Sequence, residues 1–197
     1  MIAPDRGMLA NGDDGDGRMP EPEVLFEYIL RELAFEKDLA GKKVLVTAGA
    51  TMEAIDPVRY ITNHSSGKMG CALAKAAMQR GAKVTLVAGH MEVLPPMFVD
   101  VVNVKSAADM FEAVTKLAPE QDIIVKAAAV ADYTPVAVAD NKIKKSDDDM
   151  KIELKRTQDI LGYLGQHKRE VRSYAVFHER RTLSRTLRKS SPTKTAI

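Results

Sequence analysis

The chain has 197 residues, of which 45% are apolar and 28% are charged, as in an ordinary globular protein. This length suffices for one domain with its own core and is too short for two large ones. No run approaches the ~18 apolar residues that span a bilayer, which excludes a membrane-spanning helix. The start of the chain shows no basic-then-apolar leader, and the single cysteine, Cys71, excludes a disulfide framework. The composition therefore predicts a cytoplasmic protein with no membrane partner.

The net charge of +2 hides an uneven distribution along the chain. From Gln166 onward there are nine Lys and Arg against two Asp and Glu, so this end is strongly basic and the rest is mildly acidic. The basic end lacks the interleaved aromatic side chains on which nucleic-acid bases stack. We therefore expect no nucleic-acid partner.

The first elements in chain order are a polar segment and a helix. Residues 1–22 place glycines and prolines among acidic residues with no apolar period, which predicts a loop or tail outside the core. Val24–Leu39 has apolar residues at helical spacing and precedes Gly41, which predicts an amphipathic helix.

From Lys42 onward, short apolar runs alternate with helical patterns. Predicted strands are Val44–Thr47, Val84–Val87, Val101–Val104, Ile123–Val130, the half-exposed Met150–Leu154, and Ser173–Phe177. Predicted helices are Met69–Arg80, a helix from Ser106 to Leu117 opened by the Ser106/Asp109 capping pair, and Asp159–Leu164 capped by Thr157. This order predicts a Rossmann-like three-layer α/β sandwich with a mostly parallel central sheet.

Two segments near the first predicted strand have the composition of a phosphate site. Thr47–Thr51 follows that strand directly, and the glycine-containing Asn63–Gly70 opens the next helix, where backbone N–H groups attract anions. The alternative is an ordinary capped loop. Asn63–Gly70 is not a Walker A motif, because Met69 stands where that motif has its metal-binding hydroxyl. A dinucleotide-binding oxidoreductase is disfavoured, because no Rossmann glycine fingerprint follows the first strand.

Two further segments could complete a ligand site. Ala127–Tyr133 combines small residues, which leave room for a flat ligand, with the carboxylate of Asp132. The alternative is small residues packed under a helix, with Asp132 as a turn former. Lys142–Lys145 could neutralise a polyphosphate, although a lysine run is more often a solvated face.

Together with Glu53 and Ile55–Arg59, these segments resemble phosphopantothenate–cysteine ligase, continuously from about Gly41 to Val176. The segments Leu9–Asp13 and Gly17–Pro22 resemble the end of a flavin-dependent decarboxylase, with Asn11 in place of its catalytic cysteine. We therefore expect no FMN and no decarboxylase activity. The resemblance implies a decarboxylase remnant (1–22), a linker helix (23–41), a ligase domain incomplete at its C-terminus (42–177) and a disordered basic tail (178–197).

The resemblance also implies a reaction in two steps. CTP with Mg²⁺ activates the carboxylate of 4′-phosphopantothenate as an acyl-cytidylate, and the amine of cysteine then displaces CMP. It implies a homodimer, in which Arg59 reaches substrate held mainly by the neighbouring subunit. Metal ligands are left unassigned, and Cys71 is expected to serve in packing because no enzyme nucleophile is required.

Site residues follow from the resemblance position by position. The nucleotide contacts are Gly49, Ser65, Gly67, Lys68, Gly70, Ala127, Ala128, Asp132, Lys142, Gln158, Asp159, Ile160, Leu161 and Phe177. The substrate contacts are Arg59, Asn63, Ala128, Ala129 and Asp132. Asn63 and Lys142 are the expected catalytic residues, Lys142 as a mobile lysine that closes over the phosphates.

The sequence departs from the family pattern at three places. Lys126 stands in an apolar strand, and Thr157-Gln158 replaces a common Asn-Pro. Beyond Phe177 the chain no longer follows the family pattern. The residues from Arg180 onward can be encoded by codons that, when read one base earlier, specify a helix like that of the family. We therefore hypothesise a frameshift near residue 177, which the gene's nucleotide sequence tests. The alternative to an active ligase is an inactive nucleotide-binding remnant or a regulatory subunit.

Overall fold

A computed structural model describes residues 2–145, 149–167 and 173–176, which form an α/β fold around one parallel sheet. The strands are β1 (Asp5–Met8), β2 (Asp14–Arg18), β3 (Lys43–Ala48), β4 (Met52–Ala54), β5 (Tyr60–Thr62), β6 (Lys83–Ala88), β7 (Asp100–Asn103), β8 (Ile123–Lys126), β9 (Tyr133–Pro135), β10 (Leu154–Arg156) and β11 (Ser173–Val176). The helices are α1 (Pro22–Leu33), α2 (Lys68–Gln79), α3 (Ala107–Leu117) and α4 (Ile160–Gln166), with a 3₁₀ turn at Ala118–Glu120. None of the described helices combines the length and apolarity that crossing a bilayer requires.

The central sheet has five parallel strands in the order β11-β8-β3-β6-β7. At its centre, Val46 of β3 lies between Val125 of β8 and Leu86 of β6. Because all five strands run the same way, their carboxyl ends meet at one edge, where open α/β sheets bind ligands.

Each face of the sheet packs against its own helices, because successive side chains of a strand point to opposite faces. One core joins β3 and β6 to α2 through buried side chains: Val44, Val46, Ala48, Cys71, Ala74, Met78, Val84 and Leu86. The other core joins the sheet to α3 and α4: Leu45, Val87, Met110, Val114, Ile124, Ile160 and Leu164. The predicted three-layer Rossmann-like fold is confirmed, and α2, α3, β3, β6, β7 and β11 begin and end within one residue of their predicted limits.

Two small antiparallel sheets lie beyond the carboxyl edge, and neither was predicted from the sequence. The strands β4 and β5 form one hairpin, and β9 pairs with β10 across a long connection. Since β4 contacts β9, the two small sheets lie side by side and extend the edge where the site was expected.

The N-terminal segment differs from its prediction as a loop, because β1 and β2 pair as an antiparallel hairpin. The turn is closed by a hydrogen bond from Leu9 N to Asp13 O (2.8 Å), with Gly12 at a positive φ of 85°. Residues 2–19 are exposed or half-buried, so the segment does lie outside the core. Backbone pairing needs no apolar alternation, which is why the composition did not reveal it.

The helix expected over Val24–Leu39 ends at Leu33. Residues after it bond to the end of α2 instead: Leu39 N donates to Arg80 O (3.0 Å) and Lys37 Nζ donates to Gln79 O (2.6 Å). These tertiary bonds replace the helical bonds that the pattern predicted, so Gly41 is not the helix terminator.

The strand β8 ends at Lys126 rather than at Val130. Beyond it, Ala129 N donates to Gly49 O (2.8 Å) and Ala131 N donates to Thr51 Oγ1 (3.0 Å). The segment therefore follows the loop after β3 instead of continuing as a regular strand.

The last described elements also shift. The strand β10 begins at Leu154 rather than Met150, and α4 begins at Ile160 with Asp159 at its N-cap. Thr157 does not cap the helix, because its hydroxyl donates to Ala131 O (2.7 Å). The predictions for Phe177 and for the 178–197 tail concern positions outside the described residues.

Candidate functional site

The glycines in Thr47–Thr51 and Asn63–Gly70 allow close backbone approaches around the end of β3. Gly67, the N-cap of α2, has a φ of 75°. A Cβ on Gly70 would lie 2.5 Å from Ala48 Cβ, and one on Gly49 would lie 2.4 Å from His90 O. No side chain fits at these points. Gly49 lets the loop after β3 lie against the backbone of His90, and Gly70 lets the N-terminus of α2 lie against the end of β3. The first N–H groups of α2 have no partner within the helix and favour an anion there.

The segment after β8 is held by two buried threonines. The hydroxyl of Thr47 accepts hydrogen bonds from Ala127 N and Ala128 N, both at 3.2 Å. The hydroxyl of Thr51 accepts from Ala131 N. These two side chains fix the small residues Ala127–Ala131 beside the Thr47–Thr51 segment. The sequence pattern did not assign this supporting role to Thr47 or Thr51.

The connection from β10 to α4 lies next to the segment after β8 and is bonded to it. Thr157 N donates to Asp132 O (3.0 Å), in addition to the Thr157 hydroxyl bond to Ala131 O. Two hydrogen bonds thus join this connection to the segment that carries Asp132.

These three segments enclose a cleft of about 1120 Å³, large enough for a nucleotide and a second substrate. Its lining residues are Asn63, His64, Ser65, Ser66, Gly67, Lys68, Met69, Gly70, Lys126, Ala127, Ala128, Ala129, Val130, Ala131, Asp132, Tyr133, Arg156, Thr157, Gln158, Asp159 and Ile160. The sequence thus predicted the two main walls, which the fold brings together across the end of β3.

The charges along the cleft are mixed. Lys68, Lys126 and Arg156 line it together with the carboxylates of Asp132 and Asp159. Burial lowers the pKa of Lys126, while Asp159 and Asp132 oppose that effect. A half-buried cation at the end of β8 can therefore meet an anionic ligand at little further desolvation.

Most predicted site residues lie in this cleft. Those that line it are Asn63, Ser65, Gly67, Lys68, Gly70, Ala127, Ala128, Ala129, Asp132, Gln158, Asp159 and Ile160. Gly49 supports the cleft from behind, next to His90. Leu161 follows Ile160 in α4 and is not among the lining residues, and Phe177 lies outside the described residues.

Arg59 and Lys142 lie outside the cleft. Arg59 is paired with Asp56 and donates to Ile143 O (3.0 Å), and Lys142 is exposed. Arg156 is a lining residue that the sequence reading did not select. The sequence signal for Arg156 is a basic residue two positions beyond the predicted strand Met150–Leu154 and next to Thr157.

The domain model described as "DNA/pantothenate metabolism flavoprotein C-terminal domain" matches residues 39–190. The chain belongs to this family. The match begins near Gly41, as the resemblance did, and extends past Val176, where the residue-by-residue resemblance ended.

Relatives of this domain family include longer bacterial proteins. The chain is 50% identical over 173 residues to the coenzyme A biosynthesis bifunctional protein CoaBC of Bacillus subtilis, covering 86% of this chain and 43% of the relative. A cysteine/cysteine sulfinic acid decarboxylase from an unknown prokaryotic organism is 45% identical over 175 residues, covering 86% of this chain and 49% of that protein. The chain thus spans less than half the length of these curated relatives, which share the domain under different names.

A solved structure matches the fold of this domain. The crystal structure of the C-terminal domain of CoaBC is 47% identical, with a TM-score of 0.60 over 69% of this chain and 63% of that chain. This likeness agrees with the parallel sheet and flanking helices described above.

Proposed function

We propose that this domain is a phosphopantothenate–cysteine ligase, which activates the carboxylate of 4′-phosphopantothenate with CTP and joins it to the amine of cysteine. The observation that carries the proposal is the cleft of about 1120 Å³ between the glycine-capped N-terminus of α2 and the Lys126–Tyr133 segment, in a chain of the pantothenate-metabolism family. The relatives named for coenzyme A biosynthesis support the same substrate class.

The cleft suits the first chemical step. An oxygen of the substrate carboxylate attacks the α-phosphorus, and the bond to the pyrophosphate oxygen breaks, so pyrophosphate leaves with the electron pair. The N–H groups at the start of α2, with Lys68 and Arg156, would hold the triphosphate and stabilise its developing charge. The exposed side chain of Lys142 would reach over the phosphates from outside the cleft.

The second step needs orientation rather than an enzyme nucleophile. The amine of cysteine attacks the acyl carbon, the bond to the cytidylate oxygen breaks, and the amine loses a proton. Asn63 donates a hydrogen bond to Ala129 O (3.4 Å), so its amide lies between the two walls where the acyl intermediate would sit. Holding the reactants in line lowers the barrier to such a transfer, because it removes the entropy cost of bringing them together.

Mg²⁺ would enter as part of the nucleotide substrate and neutralise phosphate charge. The described residues contain no cluster of three or more metal-binding side chains. The two carboxylates among the described lining residues, Asp132 and Asp159, fit an ion held mostly by phosphate oxygens and water.

We also propose a homodimer, formed in the cytoplasm through the two small antiparallel sheets. Val58 and Tyr60 on one sheet, and Val136 and Val138 beside the other, each expose half or more of their surface. Because β4 contacts β9, these exposed apolar residues lie on neighbouring sheets, and a cluster of this kind suits an interaction site. Replacing Val136 and Val138 by Lys should give monomers in sedimentation equilibrium, whereas the control Leu94→Lys, also at an exposed residue, should not.

Pyrophosphate release tests the ligase proposal. Purified protein mixed with phosphopantothenate, Mg²⁺ and CTP should release pyrophosphate before cysteine is added, and a parallel reaction with ATP tests the choice of nucleotide. Nucleotide binding without pyrophosphate release would favour the inactive remnant or regulatory subunit. The frameshift hypothesis concerns residues 178–197, outside the described part of the chain, and sequencing the gene tests it separately.

A further inference from the structure

The turn between β4 and β5 is organised around the carboxylate of Asp56. Asp56 Oδ1 accepts hydrogen bonds from Val58 N (2.9 Å) and Arg59 N (2.8 Å). Asp56 Oδ2 accepts from Arg59 Nε (2.9 Å) and pairs with Arg59 Nη2. The Asp56 side chain is fully buried, so the turn holds a rigid ion pair rather than a mobile one.

The same ion pair forms hydrogen bonds with the backbone of Ile143, more than eighty positions away in the chain. Ile143 N donates to Asp56 Oδ2 (3.1 Å), and Arg59 Nη2 donates to Ile143 O (3.0 Å). Both polar groups of the Ile143 backbone are therefore bonded to the pair. A further bond, from Ala139 N to Ile55 O (3.0 Å), holds the chain four residues earlier.

Ile143 lies within the lysine segment, which we define as Lys142–Lys145. All four residues are exposed, and Lys142 directly precedes Ile143, whose backbone is hydrogen-bonded to the ion pair. The hydrogen bonds from the Asp56–Arg59 pair involve only the backbone of Ile143, so they leave the lysine side chains available to a ligand.

The pairing also bears on what Arg59 can do. Its guanidinium faces a buried carboxylate through two nitrogens, and this pairing holds the pKa of Asp56 well below its usual range. The same guanidinium donates to the Ile143 carbonyl, so one paired side chain also fixes a distant part of the backbone.

We propose that Asp56 and Arg59 form a positioning pair that fixes the lysine segment by its Ile143 backbone, so that Lys142 is presented to the nucleotide phosphates. This deepens the ligase proposal and rests on it for the role of Lys142. Asp56 acts through the segment and does not touch substrate.

Two measurements test the anchor without any ligase activity. In Asp56→Asn, trypsin should cleave after Lys142, Lys144 and Lys145 at least ~10-fold faster, the size expected for losing a charge-assisted hydrogen bond. The amide of Ile143 should exchange with deuterium faster by a similar factor. The control is Asp38→Asn, which breaks the exposed Asp38–Arg80 pair of the same chemistry elsewhere. Equal cleavage and exchange in the two variants would overturn the anchor.

A double-mutant cycle tests the link to the nucleotide. Asp56→Asn should raise the KM for CTP in the wild-type background and have little further effect in a Lys142→Gln background. Additive effects would mean that Asp56 does not act through Lys142. If the wild-type chain shows no ligase activity, the proposed function fails, while the proteolysis and exchange results still decide the anchor.

Discussion

The side-chain amide of Asn63 donates a hydrogen bond to the backbone oxygen of Ala129, 3.4 Å away. This contact joins the loop before α2 to the segment after β8, the two walls of the cleft. In the proposed ligase, this contact is the reason for assigning Asn63 to the second chemical step.

We expect Asn63→Asp to let activation proceed and to block amide formation. A carboxylate cannot donate to Ala129 O, and it adds negative charge beside an already anionic intermediate. The expected readout is a single burst of pyrophosphate without product on addition of cysteine. Asn103→Asp, at the exposed end of β7 away from the cleft, is the control. Unchanged amide formation in Asn63→Asp would contradict the role.

Gly70→Ala should destabilise the protein and weaken nucleotide binding together. The new Cβ would lie 2.5 Å from Ala48 Cβ and 3.0 Å from Thr47 O, both on a central strand that cannot yield. Overpacking of this kind costs about 1–3 kcal/mol. Urea denaturation measures the loss, with Gly165→Ala as the control, because a Cβ there meets nothing within 4 Å. Equal stability of the two variants would show that α2 can retreat from the sheet.

The central sheet could be predicted from the sequence because its strands are buried on both faces and read as continuous apolar runs. Both main walls of the cleft could be predicted, because Ala127–Tyr133 directly follows β8 and Asn63–Gly70 opens α2, the helix that crosses over from β3 to β6. The strands β4, β5 and β9 could not be predicted, because each has three residues and their pairing partners are set by tertiary contacts. The end of β8 was missed for a related reason: the apolar run continues to Val130, but its backbone bonds turn to Gly49 and Thr51.

The anchor of the lysine segment was equally invisible in the sequence. Arg59 was predicted only as a substrate contact, while the bonds of Asp56 and Arg59 to Ile143 link residues far apart in the chain. Such long-range side-chain to backbone bonds leave no periodic signal.

Lys126→Met should stabilise the fold and weaken nucleotide binding. Removing a half-buried cation from an apolar strand should raise the free energy of unfolding by about 1 kcal/mol. The same change removes a positive charge from the cleft and should raise the Kd for CTP, measured by calorimetry. Lys83→Met, at the exposed start of β6, should alter neither quantity appreciably. A loss of stability in Lys126→Met would mean that Asp132 and Asp159 more than offset the burial.

Ser106→Ala should weaken α3 without affecting the cleft. Ser106 Oγ accepts from Asp109 N (3.1 Å), while Asp109 Oδ2 accepts from Ser106 N (2.9 Å), a complete capping box. Losing the cap costs about 1 kcal/mol, which urea denaturation measures. Ser106→Asp keeps an acceptor and should restore most of the stability. A change in the KM for CTP would show that α3 communicates with the site.

The Asp56–Arg59 pair should make stability depend on acid pH. The guanidinium of Arg59 holds the pKa of Asp56 below its ordinary value of 3.8 in the folded chain. The unfolded chain therefore binds the proton first, so the pair stabilises the fold above pH ~4 and this contribution is lost as the pH falls further. The difference in free energy of unfolding between wild type and Asp56→Asn should be constant from pH ~7 to ~5 and shrink below pH ~4. The Gly165→Ala difference should stay flat over the same range, and a flat Asp56→Asn difference would mean that the carboxylate titrates alike in both states.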